Sequence, residues 1–309
     1  MIEYGKVIKM KKKLRGGALL VFATIIWGSA FVFQSMGMDH IGPFTFQAVR
    51  CLIAVIGLIP VVYLFDVTKG EGKYFLKKWA DKKLWTAGIL CGIPLFLACN
   101  LQQVGLVDTD AGKSGFVTAM YIVIVPIIGI FLKKKPTVMI PISVAVAVVG
   151  LYCLSCVGAT QINAGDLLTL GCAFMFAVQI TFVDRFASNT DALRLNTIQS
   201  LVCSVLSFIV VIFTESPTWK GITACTIPLL QTGLLSMGVA YSLQIMGQKD
   251  LEPTAASLIM SLEAVFAAIF GALVLKETMT FWEGLGCSLV FLAVILSQIP
   301  IAHTKKQII

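Results

Sequence analysis

Residues 98–129 begin Ala98-Cys-Asn-Leu-Gln-Gln-Val-Gly-Leu-Val-Asp-Thr-Asp-Ala-Gly-Lys113, and residues 240–271 begin Ala240-Tyr-Ser-Leu-Gln-Ile-Met-Gly-Gln-Lys-Asp-Leu-Glu-Pro-Thr-Ala255. At a constant offset of 142, eight of these 32 positions are identical, among them Gln102/Gln244, Gly105/Gly247, Asp108/Asp250 and Gly129/Gly271. Apolar composition supplies chance matches of Leu, Val, Ile and Ala. It does not readily supply a Gln, two Gly and an Asp in register, so the chain contains itself twice.

The duplicated material is membrane-like. Hydrophobic residues make up 58% of the chain and charged residues 13%, with a mean hydropathy of +0.91; a soluble domain carries about 25% charged residues. At about 20 apolar residues per crossing, the sequence divides into ten spans, near 17–37, 43–65, 84–106, 112–132, 137–157, 165–186, 195–213, 222–247, 253–275 and 279–301. A basic stretch, 1–16, precedes them and a tail, 302–309, follows. The first apolar run is too long for the core of an ordinary signal peptide and no A-x-A site follows it, so it reads as a retained span.

Lys and Arg give the orientation. With the N-terminus in the cytoplasm, 20 basic residues face inward, from Lys6, Lys9 and Lys11 through the loop Lys69–Lys83 to Lys305 and Lys306, and only Lys113, Lys220 and Lys276 face outward. Both termini are then cytoplasmic in a multi-pass protein of the cell membrane. Five spans per half is an odd number, so the second half enters from the opposite side. The expected fold is an all-α integral membrane protein of ten transmembrane helices, in which a first repeat over 17–157 and a second over 165–301 are inverted. The net charge of +8 is a topology signal and a contact for anionic lipid rather than nucleic acid, because the basic residues are scattered among loops.

Several chemistries are excluded. His40 and His303 are the two histidines, both outside the spans, so neither a metal site nor a Ser-His-Asp triad is expected. Cys153-Leu-Ser-Cys156 is a lone C-x-x-C without a second pair. Gly112-Lys113-Ser114 imitates the end of a phosphate loop, but Val107 stands where that loop needs Gly. No catalytic residue, cofactor or metal is expected, and the chain reads as a non-enzyme. Acids before spans four and nine, Asp108 and Asp110, then Asp250 and Glu252, suit helix N-termini.

Two charges lie clear of the ends of their spans. Glu263 is near the middle of span nine, where a carboxylate costs roughly 2.5–3.5 kcal/mol on insertion scales; it is a candidate proton-coupling group or a helix-packing group. Arg50, in span two, is the other. At about 1.5 Å rise per residue they lie roughly 18 Å and 10 Å from the outer end, so they either pair or serve separately, Arg50 then binding backbone carbonyls or a substrate carboxylate. Uncharged polar residues complete the candidates. Asn100 and Gln102 in span three match the stretch holding Tyr241 and Gln244 in span eight. Trp27, Ser29 and Gln34 in span one, Thr118 and Tyr121 in span four, and Gln179 in span six join them. These residues either glue helices together or line a central cavity suited to zwitterions and neutral metabolites.

Ser261-Leu-Glu-Ala-Val-Phe-Ala-Ala-Ile-Phe-Gly-Ala-Leu-Val-Leu-Lys-Glu-Thr-Met-Thr280 resembles the penultimate-helix signature of the EamA family of the drug/metabolite transporter superfamily. Trp27-Gly-Ser-Ala-Phe31 resembles that family's opening helix, and Gly115 to Gly129, with Pro126, its fourth. The likeness covers essentially the whole chain. One departure is Ala264, where relatives often carry Pro, which bears on the kink expected in span nine. The resemblance implies a ten-helix carrier, usually an exporter of amino acids, other metabolites or drugs.

The expected function is secondary-active or facilitative export of small organic metabolites such as amino acids, by alternating access between inverted repeats, with protons as a candidate coupling ion. The alternatives are efflux of cationic compounds and, remotely, an intramembrane enzyme or a non-transporting membrane protein. The expected partners are the small-molecule substrate and the bilayer, and the sequence leaves monomer and homodimer equally open.

Overall fold

A computed structural model of the chain describes residues 2–109, 111–133, 139–155, 163–275 and 280–298. Asp110, Lys134 and Lys135, Cys156, Lys276 and Glu277, and the tail 302–309 lie outside the described residues. The described residues are helical throughout, with short turns and no strand. We number the apolar helices α1 (Ile2–Met38), α2 (Pro43–Thr68), α3 (Lys82–Asp108), α4 (Ala111–Ala119 continuing as Tyr121–Phe131), α5 (Met139–Ser155), α6 (Ala164–Ala187) and α7 (Ala192–Thr214). Then follow α8 (Thr226–Leu230, Gln231–Ala240 and Tyr241–Gln248), α9 (Pro253–Met260 continuing as Leu262–Leu275) and α10 (Phe281–Gln298). Eight of them are long and apolar enough to cross a membrane, and α5 and α10 are shorter apolar helices. The chain is an all-helical membrane protein with about ten spans.

Local chemistry fixes where helices start. Asn163 and Asp166 form a reciprocal capping box at α6, and Asp81 and Asp191 accept from the first-turn N–H groups of α3 and α7. Pro43 and Pro253 open α2 and α9 in the first turn, where the missing N–H costs nothing. The acids expected as caps behave differently. Asp108 ends α3, Asp250 pairs with Arg15 at 2.7 Å, and Glu252 precedes α9 without a side-chain cap bond.

The packing shows that the halves interlock. Helix α3 packs on α6 and α7, and its repeat partner α8 packs on α1 and α2; α5 packs on α10, and α2 on α7. Glycines carry the closest approaches. A Cβ on Gly105 would lie 2.9 Å from the Gly165 carbonyl oxygen, and a Cβ on Gly247 would lie 2.9 Å from that of Gly16. The Gly88 and Gly92 pair of α3 likewise receives Ile198 and Val202 of α7.

Helices α2 and α7 reveal the symmetry. They begin at Pro43 and Ala192, 149 residues apart, so Thr45 corresponds to Arg194 and Asp66 to Glu215. At one end Glu215 accepts from the backbone N–H groups of Phe44 and Thr45, both at 2.9 Å, and from the Thr45 hydroxyl at 2.6 Å. At the other end Asp66 pairs with Arg194, and also with Lys78 at 2.8 Å. The start of each helix meets the end of its equivalent. Equivalent helices that run antiparallel require a two-fold axis perpendicular to them, lying in the membrane plane. The repeats are inverted.

Two equivalent helices are also interrupted within one residue of equivalent places. Helix α4 breaks at Met120 and α9 at Ser261. The interruption of α9 occurs although residue 264 is Ala rather than Pro; the Ser261 hydroxyl instead donates back to the Leu258 carbonyl at 2.7 Å.

A candidate substrate cavity between the halves

The middle of the molecule holds a narrow cavity between the helices. Helix α1 contributes Trp27, Ala30, Phe31 and Gln34, a set spaced three and four residues apart on one face. Arg50 comes from α2, Gln102 from α3, Tyr121 from α4, and Phe176 and Ile180 from α6. Helix α8 adds Ser236, Met237, Tyr241 and Gln244, and α9 adds Met260 and Glu263.

Much of this lining consists of repeat partners. Gln102 and Gln244 face the same space, as do Tyr121 and Glu263. By the helix offset of 149, Trp27 corresponds to Phe176 and Phe31 to Ile180, and all four are on the wall. Two bonds join residues to their own equivalents. The Tyr121 hydroxyl donates to Glu263 Oε1 at 2.9 Å, and Cys99 Sγ lies 3.7 Å from the Tyr241 hydroxyl; each pair is 142 residues apart. The cavity therefore sits on the two-fold axis, at the interruptions of α4 and α9.

The two intramembrane charges are held separately. Glu263, 6% exposed, takes its bond from Tyr121. Arg50, 2% exposed, donates through Nε to Gln47 Oε1 at 2.6 Å and through Nη1 to Gln34 Oε1. Among the described residues no ion pair joins Arg50 to Glu263; both charges instead face the same cavity. A buried carboxylate and a buried guanidinium thus stand on one wall, each hydrogen-bonded to neighbouring side chains.

Seven of the expected residues line this space besides Gln34: Trp27, Arg50, Gln102, Tyr121, Tyr241, Gln244 and Glu263. Thr118 and Gln179 stand directly behind two of them. Gln102 Nε2 donates to Thr118 Oγ1 at 3.0 Å, and Gln244 Nε2 donates to Gln179 Oε1 at 3.1 Å. Ser29 and Asn100 lie elsewhere. Ser29 accepts from Gln231 at 2.8 Å, and Asn100 binds the Phe96 carbonyl at 2.8 Å and Ser207 at 2.9 Å, so both join helices. The wall residues that sequence reasoning missed, Ala30, Phe31, Phe176, Ile180, Ser236, Met237 and Met260, are mostly apolar. Their signal was spacing: Phe31 lies one turn from Trp27, and Ile180 one turn from Phe176.

Helix α8 is unusual where it lines the cavity, because Gln231–Ala240 is π-helical. The wider turn displaces backbone carbonyls from α-helical register. Asn196 of α7 donates to two of them, Met237 and Gly238, at 2.9 Å each.

Residues 14–156 and 163–298 each match the EamA-like transporter family. An uncharacterized transporter of Archaeoglobus fulgidus is 33% identical over 94% of this chain and 88% of its own length. The uncharacterized transporter YoaV of Bacillus subtilis is 22% identical over 93% of this chain and 97% of its own. A protein of known crystal structure shares the fold with a TM-score of 0.73 at 15% identity, covering 91% of this chain and 96% of the other.

Proposed function

This chain belongs to the EamA-like transporter family, and on that footing we propose that it exports small organic metabolites, amino acids foremost, by alternating access between its inverted halves in the cell membrane. The observation that carries the amino-acid reading is the presence of Arg50 and Glu263 on one cavity wall. A guanidinium presents parallel N–H groups that match a carboxylate, and a carboxylate receives an ammonium. The two ends of a zwitterion thus find opposite charges, while Trp27, Phe31, Phe176 and Tyr241 receive its side chain. A site on the two-fold axis suits a carrier, because either half can close over it by the same motion. Export, and cytoplasmic termini, rest on the family likeness and on the excess of basic residues in the inward loops.

Glu263 is the proposed coupling group. It is buried at the interruption of α9, it touches its repeat equivalent, and it faces the space a substrate occupies. A carboxylate so placed can exchange a proton with whichever side the cavity faces.

The second reading, efflux of cationic compounds, is favoured by the aromatic wall beside a carboxylate. A counterflow screen in proteoliposomes against amino acids, nucleobases and cationic dyes, with and without a pH gradient, separates the two. Exchange of amino acids supports the first, and exchange of dyes alone replaces it with the second.

A further inference from the structure

Among the described residues, two polar atoms of the cavity-lining side chains are buried without a protein partner, Gln244 Oε1 and Trp27 Nε1. An unmade bond of this kind costs about 1–3 kcal/mol, and on a cavity wall it is one that a ligand can make. Which end of an amide faces a cavity is decided by its hydrogen-bond network. Here the network has a fixed origin.

Asn196 Nδ2 lies 2.9 Å from the carbonyl oxygens of Met237 and Gly238 in the π-helical stretch. Carbonyl oxygens only accept, so the nitrogen must face them and Asn196 Oδ1 must face away. Gln199 then turns its Nε2 to Asn196 Oδ1, at 2.9 Å, which leaves its Oε1 for Gln179. Gln179 donates to that oxygen at 3.3 Å and turns its own Oε1 to Gln244. Gln244 donates in turn at 3.1 Å, and its own oxygen remains without a protein partner in a residue of the cavity lining. Flipping any amide in this series places two donors or two acceptors against each other. Asn196, Gln199 and Gln179 are 0% exposed and Gln244 is 2% exposed, so water does not relax the constraint.

We infer that this amide relay makes Gln244 an obligate acceptor, so that the cavity selects ligands presenting an N–H donor, an ammonium or amide, to α8. Gln244 is the specificity-determining residue, and Gln179, Gln199 and Asn196 are positioning residues behind it. Trp27 Nε1 supplies the complementary donor for the ligand's acceptor. The repeat partner Gln102 has no such relay. Its nitrogen meets the Thr118 hydroxyl at 3.0 Å, a group that both donates and accepts, so its polarity is not imposed. The symmetry of the site is broken at this point, and the ligand takes one orientation. The inference rests on the amino-acid reading and sharpens it.

The test is competition against labelled leucine counterflow in proteoliposomes of the full chain, by leucine and by 4-methylpentanoate, the same skeleton without the amine. The wild type should prefer leucine by about tenfold or more. Gln244→Leu and Gln179→Met should each collapse that ratio to about threefold or less. Gln248→Leu removes an amide one turn along α8 that donates to the Ile180 carbonyl outside the relay, and should keep the ratio. Where Gln179→Met does not fold, Gln199→Met reads the same relay. An unchanged ratio in Gln244→Leu overturns the acceptor, and a ratio lost in Gln244→Leu but kept in Gln179→Met overturns the relay. If only cationic dyes exchange, the amino-acid reading falls alone, and the ratio is then read with ethidium, which bears N–H groups, against tetraphenylphosphonium, which has none. Exchange of no probe overturns both.

Discussion

Tyr121 and Glu263 stand at equivalent positions of the two halves, and the Tyr121 hydroxyl donates to Glu263 Oε1 at 2.9 Å. Residues exchanged by a two-fold axis touch only where the axis passes between them. This bond, with the 3.7 Å contact of Cys99 and Tyr241, therefore locates the axis within the cavity wall. The contact is chemically unequal, a phenol against a carboxylate, so the point of highest symmetry in the fold is also a point of asymmetric chemistry.

Glu263→Gln should abolish accumulation driven by a pH gradient, while counterflow without a gradient remains measurable at a raised KM, because the substrate ammonium loses its carboxylate. Uptake into proteoliposomes under imposed gradients checks this, and unchanged gradient-driven accumulation would remove the coupling role. Tyr121→Phe leaves the buried carboxylate one donor short, a loss of about 1–3 kcal/mol, and should alter the pH profile of transport without abolishing exchange.

Arg50→Gln should raise the KM for leucine by about tenfold or more, the equivalent of about 1.4 kcal/mol in carboxylate binding. Arg50→Lys should restore only part of it, because an ammonium lacks the planar fork of donors. A KM for leucine that stays at the wild-type value in Arg50→Gln would place the substrate carboxylate elsewhere.

Gly105→Ala and Gly247→Ala place a methyl group 2.9 Å from a backbone oxygen of Gly165 and of Gly16, respectively. Overpacking of this kind costs about 1–3 kcal/mol. Because the two sites are repeat equivalents, both variants should lower the melting temperature in detergent by similar amounts. A loss confined to one of them would contradict the equivalence of the α3–α6 and α8–α1 contacts.

Asp66→Asn leaves the Arg194 guanidinium, 2% exposed, with a weakened partner. Breaking such a pair costs about 3–5 kcal/mol, whereas replacing both partners is nearly neutral. Asp66→Asn should therefore melt well below the wild type, and the double variant Asp66→Asn with Arg194→Met should recover most of the loss. The hydrogen bond from Asp66, then that from Glu71, holds the Lys78 ammonium above its ordinary pKa of 10.5. A raised pKa means that its contribution is fully present below 10.5 and is lost only as the pH climbs through the folded value. Lys78→Met should lower the melting temperature equally at pH 6 and pH 8, roughly, and a difference that vanished on the acid side would contradict this sign.

The duplication, the helical class and the inversion were legible in residues. The offset of 142 was carried by amides, glycines and acids that apolar chance does not align, and counting spans and lysines made the copies antiparallel. The cavity was legible wherever a polar side chain was costly in hydrocarbon: Glu263, Arg50, Gln102, Gln244 and Tyr121 all reach it. Polarity alone could not separate a wall residue from the one behind it. Gln244 and Gln179 are equally buried amides, and only the fold shows that one lines the cavity while the other orients it. Asn100 and Ser29 satisfied the same rule and serve helix contacts instead. The π-helical stretch of α8, which packs chiefly against α1 and α2, left no recognisable mark in the sequence.

The central claim is that a small zwitterion is carried through a cavity on the axis between inverted halves. Trans-stimulation tests it most directly: proteoliposomes of the wild type loaded with labelled leucine, then exposed to unlabelled leucine outside. The account predicts saturable acceleration of label efflux by external leucine, weakened in both Arg50→Gln and Gln244→Leu. Efflux that is indifferent to external leucine, with exchange of cationic dyes intact, would contradict it.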